Sequence, residues 1–465
     1  MEEKKNQIMR ILGSRPIQNA ALVLLTAVVI GLTAAVIALL TLNAAFEEKV
    51  PFRMEQISAS DVVDASDIGE HFLPSFIGIR AKGEQKGISS GYNVVCDVYS
   101  VFSHVLFDVL GGNFREVAEE RFEGGAAEQS FVYMKYHSEV PYQTISVCAG
   151  GGEEAYETAV GVYELFILPD KGFRILVRSM DGKAYEFDGT YEPYFTVDAL
   201  AELLQSYQRN FADFVFSADS LFEPCFTERV RTKGMLVTEK TAALIQNRDN
   251  HISDILRLFT FNPDKLNTHE ESDIGYVYVE NHGVLRLLDD SVEYTAASSD
   301  GGISVNSYLM TYGKKGYTLA DYIGTACLIA DKVKALSPHY AGGDGEILLH
   351  SAETDEEGVL TLRFMYTFDN LPLSGCEPAM EVRFADGRML AFRLYSVSVR
   401  NLGTQQNSLM ESWYRDVALS CCPSGEYIVD IRQVYPVDFY AESIDAEWAA
   451  VYGRIVKETA GRTRK

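Results

Sequence analysis

Hydrophobic positions are most concentrated near the start of the chain. No ionisable side chain occurs between Arg15 and Glu47, and Ala20–Leu42 is almost wholly apolar. A helix over Ala20–Leu42 would be about 35 Å long at about 1.5 Å per residue, which is enough to cross a bilayer core of about 30 Å. The pattern predicts a tail over residues 1–16 and a transmembrane helix over residues 17–43.

The charges that flank this segment predict its orientation. Four basic residues precede it: Lys4, Lys5, Arg10 and Arg15. Because an excess of Lys and Arg stays on the cytoplasmic side, the N-terminus is expected in the cytoplasm and the rest outside the cell membrane. A cleaved signal peptide is the alternative. It would have a shorter apolar core and small residues at −3 and −1, whereas cleavage after Ala45 would put Asn43 at −3.

Small residues form one stripe along the predicted transmembrane helix. The stripe consists of Ala27, Gly31, Ala34, Ala35 and Ala38. Small residues let two helix backbones approach closely in lipid, so this face is a candidate contact with a partner's transmembrane helix. The alternative is that Ala and Gly are simply frequent in transmembrane helices.

Helical and strand patterns alternate through the rest of the chain. Apolar residues recur at helical spacing in three segments: Tyr92–Leu110, Val197–Tyr207 and Leu319–Leu336. Thr318, with Asp321 three residues later, is a plausible N-cap for the third helix. Alternating segments separated by turns predict β-hairpins over residues 164–178, 275–294 and 381–399. A strand is expected at 130–135, a short helix near 409–417 and a final strand at 426–434.

Two of these hairpins resemble a weak internal repeat. VYVENHGVLRLL and VRFADGRMLAFR can be aligned, although any half-buried hairpin shows the same alternation. We therefore predict an α+β fold in which the transmembrane helix is followed by about three mixed extracellular domains, built on antiparallel sheets with packed helices. Their expected bounds are 46–228, 229–344 and 345–465.

Composition excludes some partners. The chain has 41 basic and 66 acidic residues and a formal net charge of −25. A domain this acidic is not suited to nucleic acid, and it would be repelled by anionic lipid headgroups. The seven cysteines are odd in number and irregularly spaced, which argues against a disulfide framework and against a zinc site, while one or two disulfides stay possible.

Catalytic and metal-binding motifs are not recognisable. The eight histidines lie far apart, without an HExxH pair, and no SxxK motif occurs. Ala149–Gly152 lacks the Lys-Ser/Thr of a phosphate-binding loop. The acidic run Glu353–Glu357 lacks the spacing of a calcium loop, so we interpret it as a solvated hairpin turn. We therefore predict no catalytic, cofactor or metal site, and no enzyme activity.

Several segments resemble the YycH and YycI family, whose members are single-span membrane proteins found beside an essential cell-wall sensor kinase in Gram-positive bacteria. FLPSFIGI at 72–79 is similar to the family's Pro-containing strand and is expected to be exposed. SFVYMKYHSEVPYQTIS is similar to a family strand followed by a "vP" step. GYVYVENHGVLRLLDDSVEY, after LRLFTFNP, resembles the middle-domain signature, and Tyr435–Val437 with Ile444–Trp448 is similar to the family's final Tyr and Trp.

This resemblance implies signalling rather than catalysis. Family members modulate a two-component sensor histidine kinase through transmembrane and outer-domain contacts and thereby affect cell-wall homeostasis. The implied partner is such a kinase, and a paralogous single-span regulator is a possible second partner. The alternative is an extracellular ligand-binding module for cell-wall fragments, in which some of the 26 Tyr and 25 Phe residues would stack on sugars.

Overall fold

The computed structural model describes most of the chain from residue 65 onward. The described ranges are 65–110, 114–148, 160–169, 174–188, 196–216, 223–227, 230–231, 236–240, 248–263, 267–271, 275–288, 291–298, 301–309, 316–336, 345–375, 378–395, 397–402, 408–409, 411–423, 426–437 and 445–454. Within these ranges no helix is both long enough and apolar enough to cross a bilayer. The predicted transmembrane helix lies outside them, so that part of the expected fold stays a prediction.

The first half of the described chain builds a nine-stranded antiparallel sheet. Its strands are β1 Pro74–Ala81, β2 Glu84–Ile88, β3 Phe114–Val117, β4 Phe131–Pro141, β5 Gly161–Leu168, β6 Arg174–Arg178, β7 Ala184–Asp188, β8 Ala212–Phe216 and β9 Pro224–Phe226. Their order across the sheet is β3-β7-β6-β5-β4-β1-β2-β8-β9. The helices of this half are α1 Ala65–Glu70, α2 Tyr92–Leu110, α3 Glu119–Glu123, α4 Tyr142–Cys148 and α5 Val197–Ser206.

The second half contains a twelve-stranded sheet. Its strands are β12 Asn267–Glu271, β13 Gly275–Glu280, β14 Gly283–Leu288, β15 Ser291–Ala296, β16 Ile303–Ser304, β17 Gly345–Thr354, β18 Leu360–Phe368, β19 Leu371–Ser374, β20 Met380–Ala385, β21 Arg388–Tyr395, β24 Glu426–Pro436 and β25 Glu447–Arg454. Two short pairs lie apart from it, β10 Val230–Arg231 with β23 Ser408–Leu409, and β11 Leu236–Lys240 with β22 Val397–Asn401. The helices here are α6 Arg248–Leu258, α7 Leu319–Leu336 and α8 Glu411–Cys421.

The two similar hairpins predicted from the sequence are neighbours in this sheet. β13–β14 and β20–β21 both form, and β15 joins them by pairing with β14 on one side and β21 on the other. Strands from both sides of the predicted boundary at residue 344 therefore share one sheet. All described residues lie within the compact unit Ala59–Lys465, and the predicted domain bounds stay predictions.

Aromatic side chains bury one face of the first sheet. Its core includes Phe76, Phe131, Tyr133 and Phe166, and the same cluster takes in Trp448 of β25. Ala418 of α8 and two isoleucines of β24 belong to it as well. Elsewhere in the first half, α2 packs against α4 and β1, and α4 packs against β4. The C-terminal elements therefore cover part of a sheet built from the first half of the chain.

Most of the predicted elements form within a few residues of their expected bounds, and one expectation about exposure is wrong. The segment at 72–79 is not exposed, because β1 lies between β4 and β2 and its Ile77 and Ile79 have 0% exposure. The strand predicted at 426–434 is followed by β25, which was not predicted from the sequence. The acidic run at 353–357 lies at the β17–β18 turn, as interpreted from its sequence.

Candidate functional site

Five charged side chains are buried together where the first sheet meets the C-terminal elements. This charge cluster consists of Lys135, Glu223, Glu411, Arg415 and Asp430, none of which is more than 5% exposed. Lys135 lies on β4, Glu223 directly precedes β9, Glu411 and Arg415 lie on α8, and Asp430 lies on β24. The cluster thus joins four elements that are far apart in sequence.

Hydrogen bonds connect the members in a chain. Lys135 Nζ donates to Glu223 Oε1 at 2.8 Å and to Asp430 Oδ1 at 2.5 Å. Arg415 Nη2 donates to Glu223 Oε2 at 3.2 Å and lies 3.7 Å from Glu411 Oε1. Glu411 Oε2 accepts from the backbone N–H of Phe226 at 2.9 Å. Each carboxylate therefore contacts at least one donor.

Local geometry explains why these side chains point to one place. Successive residues of a strand alternate between faces, so Lys135 shares a face of β4 with Phe131 and Tyr133. Residues four apart on a helix share a face, which places Glu411 and Arg415 together toward β9. The same face of α8 carries the buried Ala418 one turn later.

The ionisation of the cluster follows from burial and from the neighbouring charges. Burial alone would lower the pKa of Lys135, but the carboxylates of Asp430 and Glu223 raise it well above its usual value. Burial would raise the pKa of Asp430, whereas Lys135 and Arg432 hold it below its usual value. Burial raises the pKa of Glu411 to about 7, although the Phe226 N–H and Arg415 oppose this rise.

These ionisation states limit what the cluster can do chemically. A lysine acts as a nucleophile when it is deprotonated, for which a lowered pKa is required. Lys135 has a raised pKa and is 5% exposed, so it is a buried ammonium held by two carboxylates. Lys135 is therefore suited to a structural ion pair and not to nucleophilic attack.

A second junction lies at the turn between β18 and β19. Asp369 and Asn370 occupy this turn with φ of 56° and 69°, and both are buried. The backbone carbonyl of Asp369 accepts a hydrogen bond from the N–H of Gly91. Its side-chain Oδ1 accepts one from the N–H of Tyr92 at 3.2 Å. Asn370 Nδ2 donates to the carbonyl of Pro74 at 3.0 Å. The turn therefore caps α2 and contacts the start of β1.

A cleft of about 260 Å³ opens near the start of α7. Its walls come from the β4–α4 junction, α7, the β17–β18 hairpin and the β20–β21 hairpin. The lining residues are Pro141, Gln143, Leu319, Tyr322, Ala352, Thr354, Gly358, Leu360, Phe384, Ala385 and Asp386. Among the described residues, no group of three or more His, Cys, Asp or Glu side chains could hold a metal ion.

The structure does not describe the small-residue stripe predicted from the sequence. Ala27, Gly31, Ala34, Ala35 and Ala38 lie outside the described residues, so their role stays a prediction. The charge cluster was not predicted from the sequence. Its only local signals are a lysine on the apolar face of a strand and a Glu-Arg pair four residues apart, and neither signal identifies a partner.

Comparison with known proteins identifies solved structures that are similar to this chain. One similar solved structure is YycH from Bacillus subtilis, with a TM-score of 0.52 and 14% identity, covering 84% of this chain and 97% of that chain. An uncharacterized protein from Eubacterium rectale has a TM-score of 0.33 and 12% identity, covering 53% of this chain and 87% of that chain. No protein-family model matches the sequence, and no curated protein matches it. The described chain has a YycH-like fold, so the resemblance seen in the sequence is confirmed at the level of the fold.

Proposed function

We propose that this YycH-like chain is a membrane-anchored extracellular protein that modulates a two-component sensor histidine kinase and thereby affects cell-wall homeostasis. The observation that carries the proposal is the similarity to YycH, which extends over 97% of that chain. The family resemblance of the sequence motifs points to the same class of regulator. The role belongs to the outer domains and the transmembrane helix together.

The N-terminal sequence supports the membrane anchor. Ala20–Leu42 is long enough to span a bilayer, and the basic residues before it favour a cytoplasmic N-terminus. With a single span, a signal would cross the membrane through contacts or movement of this helix.

The energy needed for such regulation is small. A coupling free energy of about 1–3 kcal/mol changes an equilibrium by about 5–150-fold. Contact between two transmembrane helices along the stripe at Ala27, Gly31 and Ala35 would bias a kinase that exchanges between two states. The same contact could serve a paralogous single-span regulator.

The cleft does not favour the alternative of a cell-wall ligand-binding module. Pockets for drug-sized ligands usually enclose about 300–1,000 Å³, whereas this cleft encloses about 260 Å³. Sugar fragments of several rings would exceed this cleft. We place regulation of a kinase first because the similarity to YycH supports it.

The proposal is tested by capture of the kinase. The full-length chain is co-expressed in turn with each sensor histidine kinase of its source organism and purified by an affinity tag, with and without replacement of residues 17–43 by an unrelated apolar span. We expect one kinase to be captured, and capture to weaken when the span is replaced. Unchanged capture would assign the contact to the outer domains alone, and capture of no kinase would contradict the proposal.

A further inference from the structure

The cleft near the start of α7 has an aromatic wall in a fixed position. The rings of Tyr322 and Phe384 lie 4.9 Å apart, and Tyr317 lies 6.0 Å from Tyr322 on another side. Tyr322 Oη accepts the backbone N–H of Gly387 at 3.2 Å. Position 387 requires glycine, because its φ is 72° and a Cβ there would overlap the ring of Tyr317. Tyr322 is therefore held in place by three neighbours.

One acidic side chain lines the cleft, and two more lie next to its lining in the sequence. Asp386 lines the cleft, and the exposed residues Glu356 and Glu357 stand beside the lining residue Gly358. Within the part of the chain that the structure describes, no Lys or Arg forms an ion pair with Asp386, Glu356 or Glu357. By contrast, Glu353 and Glu381 of the same sheet both pair with Arg363. The negative charge at the cleft is thus left without a described counter-ion.

The size of the cleft limits its occupant. At about 260 Å³ it falls below the volume that encloses a drug-sized ligand, which is about 300 Å³ or more. One long side chain would fit. A Lys or Arg side chain combines an apolar stem, which suits Pro141, Leu319 and Leu360, with a cationic end that is attracted both to an aromatic face and to carboxylates.

We propose that this cleft binds a Lys or Arg side chain presented by a positively charged, extended segment of a partner protein. The partner rests on the proposed function, in which it is the extracellular part of the sensor kinase. The acidic rim attracts the segment and speeds its association, as complementary potentials do at protein interfaces. The aromatic wall then holds the aliphatic stem and the cation.

A peptide probe tests the cleft without the kinase. The full-length chain in detergent is irradiated with a pentapeptide that carries two arginines and a photoreactive leucine, or with the same peptide in which neutral citrulline replaces both arginines. Mapping of the labelled positions should find the arginine peptide at residues 316–323, 352–360 and 384–388, with at least fivefold less labelling by the citrulline peptide. Equal labelling by both peptides, or labelling spread over other surfaces, would overturn the proposal.

Charge variants supply the matched control. Asp386→Asn with Glu357→Gln removes one charge from the cleft lining and one beside it, and asparagine tolerates the positive φ of 48° at position 386. Glu120→Gln with Glu123→Gln removes two exposed charges on α3. We expect labelling by the arginine peptide to fall at least fivefold in the first variant only, and equal labelling of both variants would contradict the assignment.

The kinase experiment separates the two proposals. If the wild-type chain captures a kinase and the cleft variant captures it equally well in low salt, the cleft proposal fails while the proposed function stands. If the arginine peptide labels the cleft but no kinase is captured, the proposed function fails and the cleft remains a site for basic segments.

Discussion

Asp369 caps a helix that begins 277 positions earlier in the chain. Its Oδ1 accepts the backbone N–H of Tyr92, the first residue of α2, at 3.2 Å. Its carbonyl oxygen also accepts the N–H of Gly91. A buried turn of the second sheet thus satisfies donors at the start of the long helix of the first half. The two halves of the described chain are therefore expected to unfold together.

Replacement of the cap should destabilise the fold. Loss of an N-cap acceptor costs about 0.5–2 kcal/mol, and alanine is strained at the φ of 56° of this position, so Asp369→Ala should lower the free energy of unfolding by at least about that amount in a urea titration. Asp369→Asn is the matched control, because it keeps an acceptor oxygen and tolerates positive φ. An equal loss in both variants would show that the cap bond does not contribute.

Removal of the buried lysine should have a larger effect. In Lys135→Met the carboxylates of Glu223 and Asp430 lose their shared cation, and breaking a buried pair in this way costs about 3–5 kcal/mol. Lys82→Met is the control, since its pair with Asp198 is exposed and such pairs contribute less than about 1 kcal/mol. Urea unfolding measures both changes. If Lys135→Met lowered the free energy of unfolding no more than Lys82→Met does, the charge cluster would not stabilise the fold.

Stability should depend on pH through Glu411. Burial raises the pKa of Glu411 from its ordinary value of 4.5 to about 7. Because the folded state holds this proton more tightly, the contribution of Glu411 to stability is present below pH 4.5 and is lost as the pH rises through about 7.

The variant Glu411→Gln isolates this contribution. Glutamine keeps an acceptor for the N–H of Phe226 but does not titrate. The difference in unfolding free energy, wild type minus variant, should fall by up to about 3 kcal/mol between pH 4.5 and pH 7 and then stay level. Unfolding titrations at four pH values measure it. A difference that does not change with pH would show that Glu411 stays charged in the folded protein.

The transmembrane stripe should be sensitive to added bulk. Gly31→Leu places a large side chain where close approach of two helices is predicted. The affinity for the kinase should therefore fall about tenfold or more, which corresponds to about 1.4 kcal/mol of binding free energy. Val29→Leu adds one methylene on the opposite side of the predicted helix and should leave capture unchanged. Equal capture by the two variants would show that the stripe does not contact the kinase.

Local sequence signals predicted the elements well where the stabilising contacts are also local. Thr318 and Asp321 were predicted to start a helix, and in α7 the Thr318 N–H donates to Asp321 Oδ2 at 2.8 Å while Thr318 Oγ1 accepts the Asp321 N–H at 3.3 Å. The hairpin over 275–294 was likewise predicted from residues close together in the chain, and it turns between Glu280 and Gly283. Such contacts require no knowledge of the rest of the chain.

Contacts between distant segments could not be predicted from the sequence. Alternation in β4 indicates a strand, but it does not show that Lys135 meets Asp430 across 295 positions. Exposure of the segment at 72–79 was predicted wrongly, although its apolar residues on both faces are typical of a central strand. Pro74 is tolerated because it is the first residue of β1.

The rate of kinase autophosphorylation in reconstituted vesicles tests the central claim most directly. The captured kinase is reconstituted alone and with increasing amounts of the full-length chain, and with a chain whose residues 17–43 are replaced by an unrelated apolar span. We predict a saturable change in rate of about fivefold or more, in either direction, which is reduced when the span is replaced. A rate that stays constant while all of the kinase is bound would contradict the proposed regulatory function.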